Sequence, residues 1–197
     1  MKYEPIKLKF KSLNGISANQ IEQHFEGLYK KYIAKINEID ERLTKVDLNN
    51  QNPTYSEARE LKIEQTFALN AVILHEYYFN NLGGNGNPNG AILERIKNDF
   101  GSFETWKNDF NASGLSARGW VVLCYNNRTN TLYNISCDAH NQGAIWNATP
   151  LLVLDVYEHA YMLDFGVNRK DYLDVFWKNL DWNTVNDRYN SIKKDKK

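Results

Sequence analysis

The chain has 197 residues, 42% hydrophobic and 13% aromatic, enough apolar surface for one compact body or two small units packed together. Lys plus Arg balances Asp plus Glu at 24 each, which excludes the global field that would hold nucleic acid or an anionic membrane. No apolar run is long enough to span a bilayer, and the stretch Met1-Lys-Tyr-Glu-Pro-Ile-Lys lacks an apolar signal core. The sequence therefore predicts a soluble, cytoplasmic protein with no nucleic-acid or membrane partner.

In chain order, Ser17-Ala-Asn-Gln20 reads as a capping box opening a first helix. Ile21, Phe25, Tyr29, Tyr32, Ile33, Ile36 and Leu43 then recur at spacings near three and four, an amphipathic stripe running to about Leu43. Thr54-Tyr-Ser-Glu57, directly after Pro53, reads as a second capping box, with a longer helix through Leu61, Phe67, Ala71, Leu74 and Tyr78. The Asn/Gly/Pro-rich stretch from Asn80 to Gly90 must break that helix. Two long helices joined by a loop of roughly ten residues predict an antiparallel helical hairpin, taken as an N-terminal domain over 1–88.

A C-terminal domain over 89–197 is predicted to start with a helix over 91–100 and another, capped by Ser102, over 103–112. The texture then turns to β-formers: strands over 120–125 and 131–137 flank the turn signal Asn126-Asn-Arg-Thr-Asn130, a β-hairpin. A third strand follows over 150–155, a short helical stretch from 156, helices over 170–179 and 182–192, and a Lys-rich frayed tail. The predicted class is α+β: an N-terminal helical hairpin followed by a small three-stranded antiparallel sheet surrounded by helices.

Cys124 and Cys137 lack a CxxC or a third partner and read as reduced thiols buried on strands, which leaves thiolate metal chemistry aside. The four histidines are the candidates for chemistry. Asp155 and His159 stand four apart, a spacing that at helical pitch stacks a carboxylate and an imidazole on one face. A surface hydrogen bond uses the same spacing. His24 lies on the first helix, and His75 lies in the apolar stretch of the second, where a satisfied core histidine is the plain alternative to a ligand. His140 follows the second strand. Three imidazoles and one carboxylate would suit a redox ion, because adding an electron together with a proton leaves the net charge of the centre unchanged. Zinc accepts a similar set for hydrolysis, and spacing alone does not choose.

At these residues the sequence resembles the iron/manganese superoxide dismutase family. Asp155-Val-Tyr-Glu-His-Ala-Tyr161 is similar to the family signature D-V-W-E-H-A-Y, with Tyr157 in place of its Trp. Thr149-Pro-Leu-Leu before it, and Arg169-Lys-Asp-Tyr-Leu, Phe176-Trp and Asn179-Leu-Asp-Trp182 after it, agree as well. So do Gln20-Ile-Glu-Gln-His24, His75-Glu-Tyr-Tyr-Phe-Asn80, Phe100-Gly-Ser-Phe103 and Gly119-Trp120. The resemblance implies one iron or manganese ion per subunit held by His24, His75, Asp155 and His159. It further implies an antioxidant oxidoreductase that disproportionates superoxide, with Tyr32 as a gateway group, in a homodimer or homotetramer. Phe79, Trp120 and Tyr157 would wall the centre.

Three departures bear on that expectation. Leu28 stands where the family usually carries a histidine that pairs with a tyrosine across the dimer interface, so Tyr161 is expected to lose that partner. Ala71 stands where iron-preferring members carry a glutamine contacting bound solvent. Manganese-type members supply that glutamine 15 or 16 residues before the ligand Asp, and counting 15 back from Asp155 reaches His140. His140 is therefore expected to replace the glutamine and contact Tyr32, with Gln142 as the alternative if the alignment carries a gap. The rival readings are a non-catalytic protein of the same fold with a structural or binding role, and a zinc hydrolase, for which no carboxylate is evidently placed as general base.

Overall fold

A computed structural model describes residues 2–194; the expected tail at 195–197 lies outside the described residues. The helices are α1 (Ala18–His24), α2 (Lys30–Leu43), α3 (Glu57–Asn80), α4 (Gly90–Phe100), α5 (Phe103–Ser116), α6 (Met162–Phe165), α7 (Arg169–Lys178) and α8 (Trp182–Lys194). The strands β1 (Trp120–Asn126), β2 (Thr131–Cys137) and β3 (Ala148–Asp155) form an antiparallel sheet in the order β2-β1-β3. This is the predicted α+β arrangement, with the helical hairpin first and the sheet enclosed by helices.

Ser17 caps α1 as predicted, its side chain accepting from the Gln20 amide at 3.1 Å. The return half of the box is absent, because the Gln20 side chain reaches instead across the molecule to the His159 carbonyl. The first helix is also not continuous: Phe25–Tyr29 forms a π turn between α1 and α2. In an unbroken α-helix, Tyr32 would sit about 80° around the axis from His24. Absorbing one extra residue removes about 100° of rotation and returns Tyr32 to the histidine's face. The π turn is braced by Tyr29, whose hydroxyl donates to Glu76 on α3 at 2.8 Å and accepts from the Ile6 amide at 3.0 Å.

The second capping box is corrected. The N-cap of α3 is Ser56, accepting from the Arg59 amide at 3.3 Å, and Thr54 takes no part. Asn52 accepts from the Thr54 and Tyr55 amides at 3.0 and 2.9 Å, which curls the chain before the helix and delays its start.

Strand β1 is central and nearly all of it is buried, because helices cover one face and the other packs on the core. Its register places Trp120 opposite both Cys137 on β2 and Asp155 on β3. The ladder shifts between Leu123 and Cys124, where Pro150 on β3 has no amide to donate. Two glycines permit close approaches. A Cβ on Gly119 would lie 2.8 Å from the Tyr157 ring, and one on Gly84 would lie 2.4 Å from the Leu180 carbonyl oxygen. The 81–90 segment is thereby tied down: the Gly84 and Gly86 amides donate to the Asn179 and Leu180 carbonyls at 2.9 and 3.0 Å.

Candidate metal centre

Four elements converge on one buried point. His24 ends α1, His75 faces inward from α3, Asp155 ends β3, and His159 lies in the three-residue 3-10 turn Glu158–Ala160. One donor atom from each lies within 4.8 Å of the others. Asp155 and His159 do meet, with Nε2 and Oδ2 3.1 Å apart. They do so across a strand end and a turn rather than on a helix face, which corrects the reading of their spacing. The second carboxylate oxygen makes the bend, accepting from the Tyr157 amide at 3.0 Å.

The Asp155 Oδ2 atom is the hub, with His24 Nε2 at 3.1 Å and His75 Nε2 at 3.7 Å. Neither of those buried nitrogens has a hydrogen-bond partner among the described residues. Buried polar atoms are rarely left so, and two imidazoles aimed at one carboxylate without bonding it fit a shared cation. The tautomer of His75 is fixed accordingly: its Nδ1 donates to the Ala71 carbonyl at 2.6 Å, which leaves the Nε2 lone pair directed inward. Ala71 thus contributes its backbone at the position where a glutamine was expected in iron-preferring relatives. Burial alone would raise the Asp155 carboxyl, but the facing His159 and His24 imidazoles outweigh it and hold the group ionised, well below the usual range. Burial lowers both His24 and His75, which keeps them neutral and able to act as donors.

His140 stands one layer out. Its Nδ1 accepts from the Trp120 indole at 2.9 Å, and an indole nitrogen is only a donor. The imidazole is neutral, its pKa lowered by burial to about 4. The proton therefore sits on Nε2, which donates to the Tyr32 hydroxyl at 3.0 Å. Tyr32 keeps its own proton, since burial and then the Asp155 charge raise its pKa. Gln142, the alternative, is exposed.

The walls are aromatic. Phe79 packs 4.9 Å from the His24 ring, Trp120 4.9 Å from His75, and Tyr157 lies nearly parallel to His159 at 5.1 Å. Phe67, placed by the sequence only as a core residue of its helix, meets His140 edge-on at 4.5 Å. Two further supports were not anticipated. Tyr172 donates to the Asp155 carbonyl at 2.8 Å, and Arg169 donates to the Tyr161 hydroxyl at 3.2 Å, so that tyrosine has a partner within its own chain. The signal for Trp120 was available: an indole N–H on an otherwise apolar strand needs an acceptor.

A family model described as iron/manganese superoxide dismutases, C-terminal domain, matches residues 88–188. The superoxide dismutase [Fe] of Aquifex aeolicus is 42% identical over 192 residues, covering 95% of this chain and 90% of that protein. The chain belongs to the iron/manganese superoxide dismutases. Members of this family named for either metal are similar to it. The superoxide dismutase [Fe] of Cupriavidus metallidurans is 34% identical, covering 99% of this chain and all (100%) of that protein. The superoxide dismutase [Mn] 1 of Halobacterium salinarum is 32% identical, covering 88% of this chain and 86% of that protein. The iron/manganese superoxide dismutase likeness thus bounds the metal to two, and the three nitrogens and one carboxylate oxygen suit either.

Proposed function

We infer that the protein disproportionates superoxide to dioxygen and hydrogen peroxide at a single iron or manganese ion held by His24, His75, Asp155 and His159. The observation that carries this reading is the pair of buried, unpartnered imidazole nitrogens beside one ionised carboxylate, in a chain of this family. Bound there, iron or manganese supplies one-electron chemistry between the trivalent and divalent states. The chain supplies the rest. Phe79, Trp120 and Tyr157 keep the volume around the ligands small and apolar, which favours a compact anion over bulkier reductants. Because His140 Nε2–H donates to the Tyr32 oxygen, the Tyr32 O–H is free to point inward as the proton donor; the phenolate it leaves stays hydrogen-bonded to the neutral His140 until a solvent water returns the proton.

Tyr32 also opens on a surface groove of about 430 Å³, in whose wall Lys35 is paired with Glu38 and Arg42 with Glu57. Its lining carries two basic and four acidic residues, so it presents no net positive field. A zinc hydrolase is disfavoured because Asp155 is engaged with the histidines and no second carboxylate joins the donor cluster among the described residues. A non-catalytic role is disfavoured by the complete donor set.

We further propose a homodimer whose contact covers Leu115, Met162, Leu163 and Val167, 47% to 89% exposed around Glu158 and Tyr161. A cytoplasmic location fits the two free, buried thiols. No helix among the described residues is long and apolar enough to cross a membrane. For the ligand set, Asp155→Ala should reduce the metal content of the purified protein from stoichiometric to trace, measured by elemental analysis. Full retention would overturn the assignment.

A further inference from the structure

We propose that Gln20 is a positioning residue for the His159 ligand, and that α1 thereby sets two of the four metal ligands at once. The inference rests on the ligand assignment above. His159 has little local support: its turn is three residues long, held by amide bonds of 3.0 and 3.2 Å, and it is followed by a four-residue helix. Helices this short do not hold themselves. Its side chain is 28% exposed, unlike the 1%, 0% and 0% of His24, His75 and Asp155. Rigidity at His159 must therefore come from outside its own segment.

Gln20 provides it. The side chain is 1% exposed, donates through Nε2 to the His159 carbonyl at 2.7 Å, and accepts at Oε1 from the Leu163 amide at 3.1 Å. The first group lies within the turn and the second in the first turn of the following helix, where backbone partners are missing. An amide offers a donor and an acceptor on one rigid plane, whereas a carboxylate or a thioether would leave one group unpaired. Gln20 precedes His24 by one helical turn, so both leave α1 on the same face. The start of α1 is fixed in turn by Ser17, which caps the Gln20 amide at 3.1 Å and donates its own amide to Asp164 at 2.6 Å. One rigid turn of helix thus presents the His24 ring and grips the His159 backbone, and a shift of α1 would move both ligands together.

The test loads wild type, Gln20→Ala and the nearly isosteric Gln20→Met with iron(III), then follows release to excess EDTA. It also records the high-spin iron(III) electron paramagnetic resonance spectrum and the hydrogen exchange of 158–165. Both variants should release iron about tenfold faster or more, show a changed spectral rhombicity, and exchange faster in 158–165 while α7 and α8 hold. Ser102→Ala, which removes the remote cap of α5, serves as a stability control and should leave release and spectrum unchanged. Wild-type release and spectra in a folded Gln20→Met would overturn the proposal, as would equal acceleration in Ser102→Ala. A wild-type protein that takes up neither iron nor manganese would instead overturn the ligand assignment itself.

Discussion

At His140 the chemistry depends on which nitrogen holds the proton, and the Trp120 indole settles that. Removing the imidazole should therefore impair proton delivery and not metal binding. His140→Ala is expected to keep its metal while superoxide-dependent activity falls about 10- to 100-fold, read by elemental analysis beside the assay. Loss of metal in that variant would make His140 a ligand support instead. Family spacing made His140 legible from the sequence, whereas its bond to Trp120 was not, since the two lie on either side of a hairpin and no local pattern joins them. The cysteines yield a pH prediction. Burial raises Cys124 to about 12 and Cys137 to about 11, so both stay protonated through neutral pH in the folded state. Iodoacetamide at pH ~8 should label neither in the native protein and both after unfolding, as mass spectrometry would show; rapid native labelling would contradict their burial.

At the scale of elements, the periodic helices and the alternation of strand and turn were legible, because burial imposes those repeats on any sequence. What escaped was set by single side chains acting across the molecule. Asp155 and His159 read as a helical pair, yet they meet because β3 ends in a carboxylate-held bend. The stripe from Ile21 to Leu43 read as one helix, and only the π turn explains how His24 and Tyr32 share a face. The second cap read two residues early, since Ser56 and Thr54 differ in nothing but the turn that Asn52 builds. That correction is testable by urea unfolding. Ser56→Ala should cost about 1 kcal/mol or more, as its hydroxyl also donates to Gln51 at 2.6 Å, while Thr54→Ala should stay within about 0.5 kcal/mol. Equal effects would return the cap to Thr54.

Over the whole molecule, the centre exists only because the helical hairpin and the sheet lock together. His24 and His75 come from one, Asp155 and His159 from the other, and the 81–90 segment between them packs Gly84 and Gly86 on the Trp177–Asp181 backbone. The division at 88/89 remains our proposal for how the chain is organised, with a connection that is pinned rather than free. Gly84→Ala should accordingly destabilise the protein by about 1–3 kcal/mol without touching a ligand, seen as a lower thermal midpoint at constant metal content. The proposed dimer contact adds a further test: Leu163→Glu should shift sedimentation toward the monomer, and an unchanged profile would place the contact elsewhere. The central claim is redox catalysis at the four converging ligands, and superoxide decay, followed by its ultraviolet absorbance, tests it most directly. Metal-free protein reloaded with iron or with manganese should accelerate the decay by orders of magnitude, while the zinc-loaded and metal-free forms should not. Iron and manganese forms that are fully loaded yet leave the decay at the metal-free rate would contradict it.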